Sequence, residues 1–533
     1  MHFIQAQDHT RRAFLRRAGQ LAFTGAALPT AINLAALGEA AAFNAGDAND
    51  YKALVCVFLY GGNDYANTIV PVDAASYARY QTIRGTTGSL DQNGIALGKA
   101  ALDAMLLNPI AGGAPVSAIG ETGLQYAMHP SMTGLRELFN SGKAAVLLNS
   151  GPLVKPISKA QYIATDRNAY PLPPKLFSHN DQQSIWQSSS PEGSTIGWGG
   201  NVGDLALSSN SKSLFTCISL TGNAVFLSGD QALSYQVGTQ GAVKVNSVGA
   251  NAWNYGYSGV GSVMEKLTMG TTRGNALEKE YNRITKRAIE AEIDINSAIK
   301  GSEPTNNVFP AAYKPFNDLT TAGQSSSLSN QLRMVARLIA ARGTLGNKRQ
   351  VFMVSLGGFD LHDNLMTDNG HSRNMARVSS AMKAFHDTLA SAEFGNIGNQ
   401  VTTFTASEFG RTLSSNGDGS DHGWGGHQII MGGAVKGGAF YGYAPPVSVA
   451  GNQWNDSAAV KAAPENQWHV GQGRLLPTTG VDQYAATLAK WFGVSPAEMS
   501  GPGSILPFLD NFGGTLRVNG VDLAYPKDLG FML

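Results

Sequence analysis

The sequence predicts an α/β fold in which helices cover both faces of a doubly wound, mainly parallel sheet. Short apolar runs with the character of buried strands alternate with longer stretches whose apolar residues recur at helical spacing. The predicted strands are residues 53–60, 143–148, 350–356 and 401–406, with 428–431 as a further candidate. The predicted helices are residues 131–139, 328–342, 371–392 and 481–492. This alternation is typical of parallel strands joined by crossover helices.

Residues 195–270 interrupt the alternation, because they are rich in glycine, serine and asparagine and contain only short β-prone runs such as 214–220 and 224–227. We interpret them as an insertion, and residues 276–299 after them as a surface helix with a solvated, charged face. Length alone allows one large domain or two smaller ones. The order of the elements favours a single domain over residues 43–533.

The N-terminal segment predicts export. Arg11 and Arg12 precede an apolar, alanine-rich stretch, which ends in small residues at positions 40–42. This arrangement is typical of a twin-arginine signal peptide, so the export machinery of that route is an expected partner. Glycine, proline and asparagine interrupt the stretch, so an uncleaved membrane anchor is the weaker alternative. We therefore expect residues 1–42 to be removed and the mature chain to be periplasmic or secreted.

Charge and cysteine content exclude several classes of partner and site. The signal peptide contains four of the 39 basic residues and two of the 38 acidic ones, so the mature chain is nearly neutral. It has no basic stripe to bind nucleic acid and no further apolar segment of membrane-spanning length. Cys56 and Cys217 could form one disulfide, although a buried position in a strand is the favoured role for Cys56. Any metal must therefore be held by oxygen and imidazole ligands.

Acidic and histidine side chains recur in four turns, each after an apolar run, at residues 61–64, 357–362, 407–411 and 421–423. The carboxyl ends of parallel strands meet at one edge of an α/β sheet, so widely separated turns can converge there. Carboxylates and imidazoles are common ligands of divalent metals. The sequence thus predicts one metal site, with candidate ligands Asp64, Asp360, His362, Glu408, Asp421, His422 and His427.

Two pairs of candidate ligands have a specific sequence context. Asp360 and His362 stand at positions i and i+2 after two glycines, so an extended backbone would present both to one metal. Asp421 and His422 lie in a loop too rich in glycine, serine and aspartate to form a packed element. Adjacent side chains of this kind could serve two neighbouring metals.

The remaining candidate ligands have structural alternatives. Asp64 could belong to an ordinary turn of two glycines, asparagine and aspartate. Glu408 could pair with Arg411, which could instead bind an anionic substrate oxygen through its planar guanidinium group. His427 could simply open the strand at 428–431.

Ser178 is the candidate nucleophile. It precedes a predicted helix, whose N-terminal end favours nearby negative charge. His179 and Arg411 complete the predicted catalytic group. Ser178 and Asp181 also have the spacing of a helix cap, so the serine could instead begin the helix.

Together these motifs resemble the bacterial domain-of-unknown-function 1501 family over essentially the whole mature chain. The resemblance rests on the twin-arginine leader and on residues 58–64, 128–130, 177–179, 357–362, 407–411 and 421–425. That family is thought to be related to the alkaline phosphatase and sulfatase superfamily, so the resemblance implies an alkaline phosphatase-like domain. It also implies a fixed order of roles: Asp64 as first ligand, Ser178 as nucleophile, then Asp360, His362, Asp421 and His422, with His427 as last ligand.

Two departures from the superfamily pattern affect this ligand assignment. The spacing between Asp360 and His362 is narrower than in the usual pair, and Glu408 stands where an Asp-His pair would end a strand. Either Glu408 replaces that aspartate, or the glycine-rich loop folds back to supply Asp421 and His422. No Cys- or Ser-x-Pro-x-Arg segment is present, so the formylglycine chemistry of sulfatases is not expected.

The resemblance implies a two-metal hydrolase of phosphate esters and, less strongly, of sulfate esters. Zinc or manganese would suit mixed carboxylate and imidazole ligands, whereas calcium or magnesium would suit fewer histidines. The substrate would be an anionic ester, which could be carried on a glycan or a lipid. A non-catalytic metal-binding or scaffold protein of the cell envelope is the alternative, because fold does not imply function.

Overall fold

The computed structural model describes residues 50–85, 94–243, 248, 257, 259–269, 275–501 and 503–533. The predicted signal peptide, residues 1–42, lies outside these ranges. Within them, every helix is too short or too polar to cross a membrane.

Most of the β-strands in the described ranges belong to one sheet. In chain order the strands are β1 (Lys52–Leu59), β2 (Ile69–Pro71), β3 (Val116–Ser117), β4 (Tyr126–Met128), β5 (Ala144–Gly151), β6 (Cys217–Ser219), β7 (Tyr235–Gly238), β8 (Gly241–Ala242), β9 (Arg349–Leu356), β10 (Val401–Ala406), β11 (Gly426–Met431), β12 (Phe440–Tyr441), β13 (Tyr443–Ala444), β14 (Thr479–Gly480), β15 (Thr515–Val518) and β16 (Val521–Ala524).

The main sheet contains ten strands of the described chain, in the order β12-β5-β11-β10-β1-β9-β6-β7-β8, with β14 also paired to β5. Strand β1 pairs in parallel with β10 on one side and with β9 on the other. Strands β6 and β7 continue the parallel pairing beyond β9. By contrast, β11 runs antiparallel to both β10 and β5, and β8 runs antiparallel to β7. The sheet is therefore mixed but mostly parallel, which confirms the predicted α/β class.

The helices vary from single turns to a helix of 24 residues. In chain order they are Tyr65–Thr68, Ala74–Arg84, Lys99–Asp103, Thr133–Asn140, Lys159–Ile163, His179–Ser188, Trp198–Ala206, Gly259–Met269, Ala276–Ile299, Lys314–Thr321, Ser327–Ala340, Arg342–Leu345, His371–Ala390, Ala458–Ala462, Val481–Phe492 and Pro496–Met499.

Both faces of the sheet are covered, as its nearly continuous apolar strands require. Successive side chains of a strand point to opposite faces, and in β1 Val55 packs into one hydrophobic cluster and Cys56 into another. The cluster around Val55 includes residues of the helices Ser327–Ala340 and His371–Ala390. The cluster around Cys56 includes residues of the helix Val481–Phe492.

The predicted elements agree best with the structure at the centre of the sheet and in the long helices. Residues 401–406 form β10, and residues 276–299 and 481–492 form helices, each with the predicted bounds. Residues 428–431 form the second part of β11, whose antiparallel direction is the main departure from a parallel sheet.

Residues 195–270, predicted as an insertion, contribute β6, β7 and β8 to the main sheet. Within this stretch, residues 224–227 do not form a strand. Val225–Leu227 is a 3-10 turn. In this turn Phe226 packs against the helix Trp198–Ala206, whose glycines allow its ring close to the helix backbone.

Cys56 and Cys217 are both free and buried. They lie in β1 and β6, which flank β9. Burial raises the pKa of each thiol, so both cysteines pack as small hydrophobic residues, as predicted for Cys56.

Candidate metal centre

Several chain segments meet at the carboxyl edge of β1, β9 and β10. The turn after β9 carries Asp360, and the turn after β10 carries Glu408. Because β11 is antiparallel to β10, it begins at this same edge, and the loop before it brings in His422. A β-bridge pairs His422 with Arg411. The glycine-rich loop thus folds back onto the turn after β10, and of its two predicted ligands it brings His422, not Asp421, to face the centre.

Gly61 and Gly410 permit the close approach of these segments. Gly61 has a φ of 119°, and a Cβ atom there would lie 2.3 Å from the backbone nitrogen of Asp360. At Gly410 a Cβ atom would lie 2.1 Å from the carbonyl oxygen of Gly425. A side chain at either position would push the segments apart.

Three imidazole rings converge on the carboxylate of Asp360. The Nε2 atom of His422 lies 3.1 Å from Nε2 of His179 and 2.9 Å from Nε2 of His362. Oδ1 of Asp360 lies 3.3 Å from Nε2 of His422 and 3.1 Å from Nε2 of His362. Oδ2 of Asp360 lies 3.3 Å from Nε2 of His179. Among the described residues, His179, Asp360 and His422 form a group that could hold a metal ion with one ligand atom each.

The other nitrogen of each ring, Nδ1, is held by an oxygen. The pairs are His179 with Oε1 of Glu408 (2.9 Å), His422 with the carbonyl oxygen of Phe177 (2.8 Å) and His362 with Oδ1 of Asp421 (3.2 Å). Carbonyl and ionised carboxylate oxygens only accept hydrogen bonds, so Nδ1 of each ring carries the proton. In the neutral rings, the Nε2 atoms that face one another are then lone-pair acceptors, and either a metal ion or a proton between them would relieve their repulsion.

This donor set fits a divalent ion such as zinc or manganese. Ligands roughly 2.0–2.1 Å from a tetrahedral zinc ion are separated by about 3.3 Å. Nε2 of His422 lies 2.9–3.1 Å from the other two Nε2 atoms, and the Asp360 oxygens lie 3.1–3.3 Å from the Nε2 atoms that they face. Metal-binding imidazoles also commonly donate their second nitrogen to a carboxylate or carbonyl. The excess of nitrogen over oxygen ligands disfavours calcium and magnesium.

Glu408 orients His179 and does not face the Nε2 atoms as the predicted ligand role requires. Its side chain is fully buried. Besides His179, Oε1 accepts hydrogen bonds from the backbone nitrogen of Gly61 at 2.9 Å and from Nε2 of Gln183 at 3.1 Å. These donors compensate the burial of the carboxylate.

Arg411 holds Asp360, and its guanidinium group is not presented to a substrate oxygen as its predicted catalytic role requires. Its guanidinium group is 0% exposed. It donates to Oδ1 of Asp360 at 2.8 Å and to the carbonyl oxygens of Gly61 at 2.8 Å and Ser420 at 3.0 Å. Burial opposes the ionisation of Asp360, but the hydrogen bond and charge of Arg411 outweigh it and lower the pKa of that carboxyl group.

The surroundings shift the pKa values of His179 and His422 in opposite directions. The hydrogen bond that His179 donates to Glu408 raises the pKa of His179 against the opposing effect of burial. Burial lowers the pKa of His422 and outweighs the hydrogen bond to Phe177. Asp360 and His362 are 43% and 46% exposed, so this side of the cluster is open to solvent.

The structure does not bring Asp64 into the cluster. Its carboxylate forms a two-point ion pair with Arg84, in which Nη1 of the arginine lies 3.1 Å from Oδ1 of Asp64. Both side chains are buried, and Oδ1 of Asp64 also caps the helix Tyr65–Thr68. The turn interpretation therefore describes Asp64 better than the ligand interpretation.

His427 and Asp421 also differ from their predicted ligand roles. His427 is buried, and its Nδ1 accepts the backbone N–H of Asn149 at 3.1 Å. Burial lowers the pKa of His427 to about 3, so it is a neutral core residue. Asp421 accepts a hydrogen bond from Asn416 at 2.8 Å and contacts Nδ1 of His362, so it orients that ring.

Ser178 precedes the helix His179–Ser188 as predicted, but its hydroxyl group does not cap the helix backbone. Instead, Oγ donates to Oδ2 of the buried Asp181 at 2.8 Å. His179, the first residue of that helix, belongs to the group of candidate metal ligands and not to the predicted catalytic group.

Three residues that hold side chains of the candidate metal centre have no role in the sequence prediction. Gln183 stands four positions after His179 in one helix, a spacing that places both side chains on one face and could have been recognised. Asn416 lies in the glycine-rich loop without any periodic signal. Phe177 holds His422 through its backbone carbonyl, in a left-handed conformation with φ of 72° that no sequence pattern indicated.

Residues 255–457 match the model of a family described as "Protein of unknown function (DUF1501)". The matched residues include Asp360, Glu408 and His422, and the match supports the predicted resemblance to that family. The motifs at 58–64 and 177–179 lie outside it. No curated protein matches the chain.

Two solved structures are similar to this chain at low identity. They are "Crystal structure of Ps i-CgsB in complex with k-i-k-neocarrahexaose", at 8% identity, and "Crystal structure of Ps i-CgsB", at 9% identity. Each match covers 87% of this chain and 77% of the other chain, with a TM-score of 0.30. A TM-score this low carries no argument about the fold or the activity of this chain.

Proposed function

We propose that this protein is an exported, metal-dependent hydrolase of phosphate esters and, as second choice, of sulfate esters, on an alkaline phosphatase-like α/β fold. The observation that carries the proposal is the convergence of three Nε2 atoms on Asp360 while each Nδ1 is held by an oxygen. In this proposal His179, His422 and Asp360 hold a zinc or manganese ion. His362 completes that set or holds a second ion.

A divalent ion, when bound, would polarise an ester oxygen and stabilise charge on the leaving group. Every other contribution comes from the chain itself. Arg411 keeps Asp360 ionised, and Glu408 holds the proton of His179 on Nδ1. The exposed sides of Asp360 and His362 leave room for an ester to approach from solvent.

Ser178 is the proposed nucleophile. Its hydroxyl proton already lies on a hydrogen bond to Asp181, whose other oxygen is 3.4 Å from Nζ of Lys175. Asp181 would accept that proton as Oγ attacks the phosphorus atom and the ester P–O bond breaks, so that the alcohol leaves with the bonding electron pair and takes a proton from solvent. Water would then cleave the phosphoserine, which releases phosphate and returns a proton to Oγ. Because His179 follows Ser178 directly in the chain, the position of the proposed metal ligand also fixes the backbone of the proposed nucleophile.

We also propose export through the twin-arginine route and a periplasmic or secreted site of action. Support comes from the paired arginines, the apolar stretch and the small residues that follow it in residues 1–42. The expected substrate is an anionic ester, which could be part of a glycan or a lipid.

Metal content and turnover, measured on the same preparations, test the proposal. The mature protein is purified from the periplasm without added metal or chelator, and its metals are quantified by mass spectrometry. We expect about one or two equivalents of zinc or manganese and turnover of 4-nitrophenyl phosphate. Asp360→Ala should lose both. Asp522→Ala removes an exposed carboxylate that pairs with Arg517 and should retain both. Full metal content and turnover in Asp360→Ala would contradict the proposal.

A non-catalytic metal-binding or scaffold protein of the envelope is the second candidate. It is favoured by the bond between Ser178 and Asp181, which also suits a residue that merely orders the start of a helix. Ser178→Ala separates the two functions. A hydrolase loses turnover in this variant and keeps its metal. A scaffold binds metal both as the wild-type protein and as the variant, and neither form hydrolyses the ester.

A further inference from the structure

Arg474 lies on a short hairpin beside the candidate metal centre. A β-bridge between His469 and Leu475 closes this hairpin, and Gly471, Gln472 and Gly473 at its tip all have positive φ. The carbonyl oxygen of Gln472 accepts the backbone N–H of Ser414 at 3.2 Å. The carbonyl oxygen of Gly473 accepts the hydroxyl group of Tyr65 at 3.1 Å. The hairpin is therefore fixed to the loop after β10 and to the helix after β1.

The contacts of Arg474 connect the two segments that carry His179 and His422. Its Nε donates to the carbonyl oxygen of His422 at 2.8 Å. Its guanidinium carbon lies 5.2 Å from the ring centroid of Phe177, whose own carbonyl oxygen holds Nδ1 of His422. Stacking and one hydrogen bond together restrict the orientation of the guanidinium plane.

The charge of Arg474 is only partly compensated. In the ranges that the structure describes, it forms no ion pair, and neither Nη1 nor Nη2 donates to an acceptor. Asp421 is near enough to raise the pKa of Arg474, but burial has the larger effect and lowers it. A half-buried guanidinium group with two unused amino groups is suited to an external anion.

Arg411 does not offer free donors to an external anion, because its guanidinium group is buried and bonded to Asp360, Gly61 and Ser420. We infer that Arg474, a residue without a predicted role, binds the anionic oxygens of the ester and selects substrates that carry negative charge beside the metal centre. This inference rests on the proposed hydrolase function. The planar fork of arginine matches two oxygens of a phosphate or sulfate group at once.

Binding of inorganic phosphate to the zinc-loaded mature protein tests this role without relying on turnover. Isothermal titration calorimetry compares the wild-type protein with Arg474→Met, which keeps an unbranched side chain over Phe177 but removes the charge. We expect phosphate affinity to fall at least about 10-fold while zinc content stays unchanged. In Arg474→Lys, which keeps the charge without the fork, the loss should be smaller. Arg283→Met is the matched control, because Arg283 pairs with Glu280 on an exposed helix.

Turnover adds a second measurement. In Arg474→Met we expect KM for 4-nitrophenyl phosphate to rise by a similar factor while kcat falls less. Unchanged phosphate affinity in a zinc-loaded Arg474→Met protein would overturn the inference and leave the hydrolase function standing. Loss of zinc in that variant would show a structural role and also overturn it. Absence of phosphate binding by the zinc-loaded wild-type protein would overturn the inference together with the proposed function.

Discussion

The Nδ1 atom of His179 lies 2.9 Å from Oε1 of Glu408, a fully buried carboxylate just beyond the end of β10. This hydrogen bond connects the central sheet to the first residue of the helix His179–Ser188. Because Glu408 holds the proton on Nδ1, Nε2 of His179 faces His422 and Asp360 as a lone-pair donor. Imidazoles bound to metals are commonly oriented in this way.

Glu408→Gln should weaken metal binding by about 10–100-fold. A neutral amide attracts the Nδ1 proton less, and it can turn its NH2 group toward the ring and favour the other tautomer. Affinity for zinc is measured by competition with a chromophoric chelator. Glu137→Gln, at an exposed position near Lys383, should bind zinc as the wild-type protein does. Equal affinities in the two variants would show that Glu408 does not orient a ligand.

Asp64→Ala should reduce the free energy of unfolding by about 3–5 kcal/mol without loss of metal. The substitution leaves the buried guanidinium group of Arg84 without its carboxylate partner. Urea denaturation gives the stability, and mass spectrometry gives the metal content. The double variant Asp64→Ala/Arg84→Met should recover part of the stability, since it removes the unpaired charge. Metal loss in a stably folded Asp64→Ala protein would instead support the ligand role that the turn at 61–64 suggested.

Arg411→Lys should lower the free energy of unfolding by about 2 kcal/mol or more. A lysine amine cannot reach Asp360 and the buried carbonyl oxygens of Gly61 and Ser420 in the geometry of a guanidinium group. The measurement is urea denaturation of the metal-free proteins, so that changes in metal binding do not contribute. Arg283→Lys serves as the exposed control. A difference below about 0.5 kcal/mol would mean that these hydrogen bonds do not stabilise the turn.

Asp482→Asn should remove one source of the pH dependence of stability. Burial raises the pKa of Asp482 to about 6, despite hydrogen bonds from Ser189 and from the backbone of Phe508. The folded state thus favours the protonated acid. This preference stabilises the folded protein fully below about pH 4, the pKa of the carboxyl group in the unfolded chain. The stabilisation, about 3 kcal/mol, is lost as the pH rises through 6.

Asparagine keeps an acceptor for the Phe508 N–H, and the Ser189 hydroxyl group can turn to accept from its NH2 group. Relative to the wild-type protein, we expect the stability of Asp482→Asn to rise between pH 4 and pH 6.5 and then to remain constant. Urea denaturation at half-unit steps of pH measures this difference. A difference that does not change with pH would show that Asp482 titrates normally in the folded protein.

Much of the central sheet could be predicted, because its strands are buried on both faces and consist mainly of apolar and β-branched residues. The run at 401–406 is an example, since it forms β10 with the predicted bounds. The antiparallel direction of β11 could not be predicted, because direction depends on how the glycine-rich loop returns to the sheet edge. The short strand β7 was missed for a similar reason, because its stability comes from pairing with β6.

For the candidate metal centre, the sequence indicated which types of residue are present but not how far apart their atoms lie. Asp360, His362 and His422 were predicted as ligands and lie together. Glu408 and Asp421 were also predicted as ligands, yet they contact the opposite nitrogens of two rings. A carboxylate that binds a metal and one that orients a histidine look alike in a sequence, because both follow strands and lie near glycine. Only the atoms that they face distinguish them.

X-ray absorption at the zinc edge of the zinc-loaded mature protein tests the metal centre most directly, because it counts imidazole ligands. We expect nitrogen and oxygen neighbours at about 2.0–2.1 Å, with the outer-shell scattering of two or three imidazole rings and no sulfur. In His422→Gln the imidazole count should fall by one or the zinc should be lost. Failure to bind zinc, or zinc bound without imidazole scattering, would contradict a metal centre built from His179, His422 and Asp360.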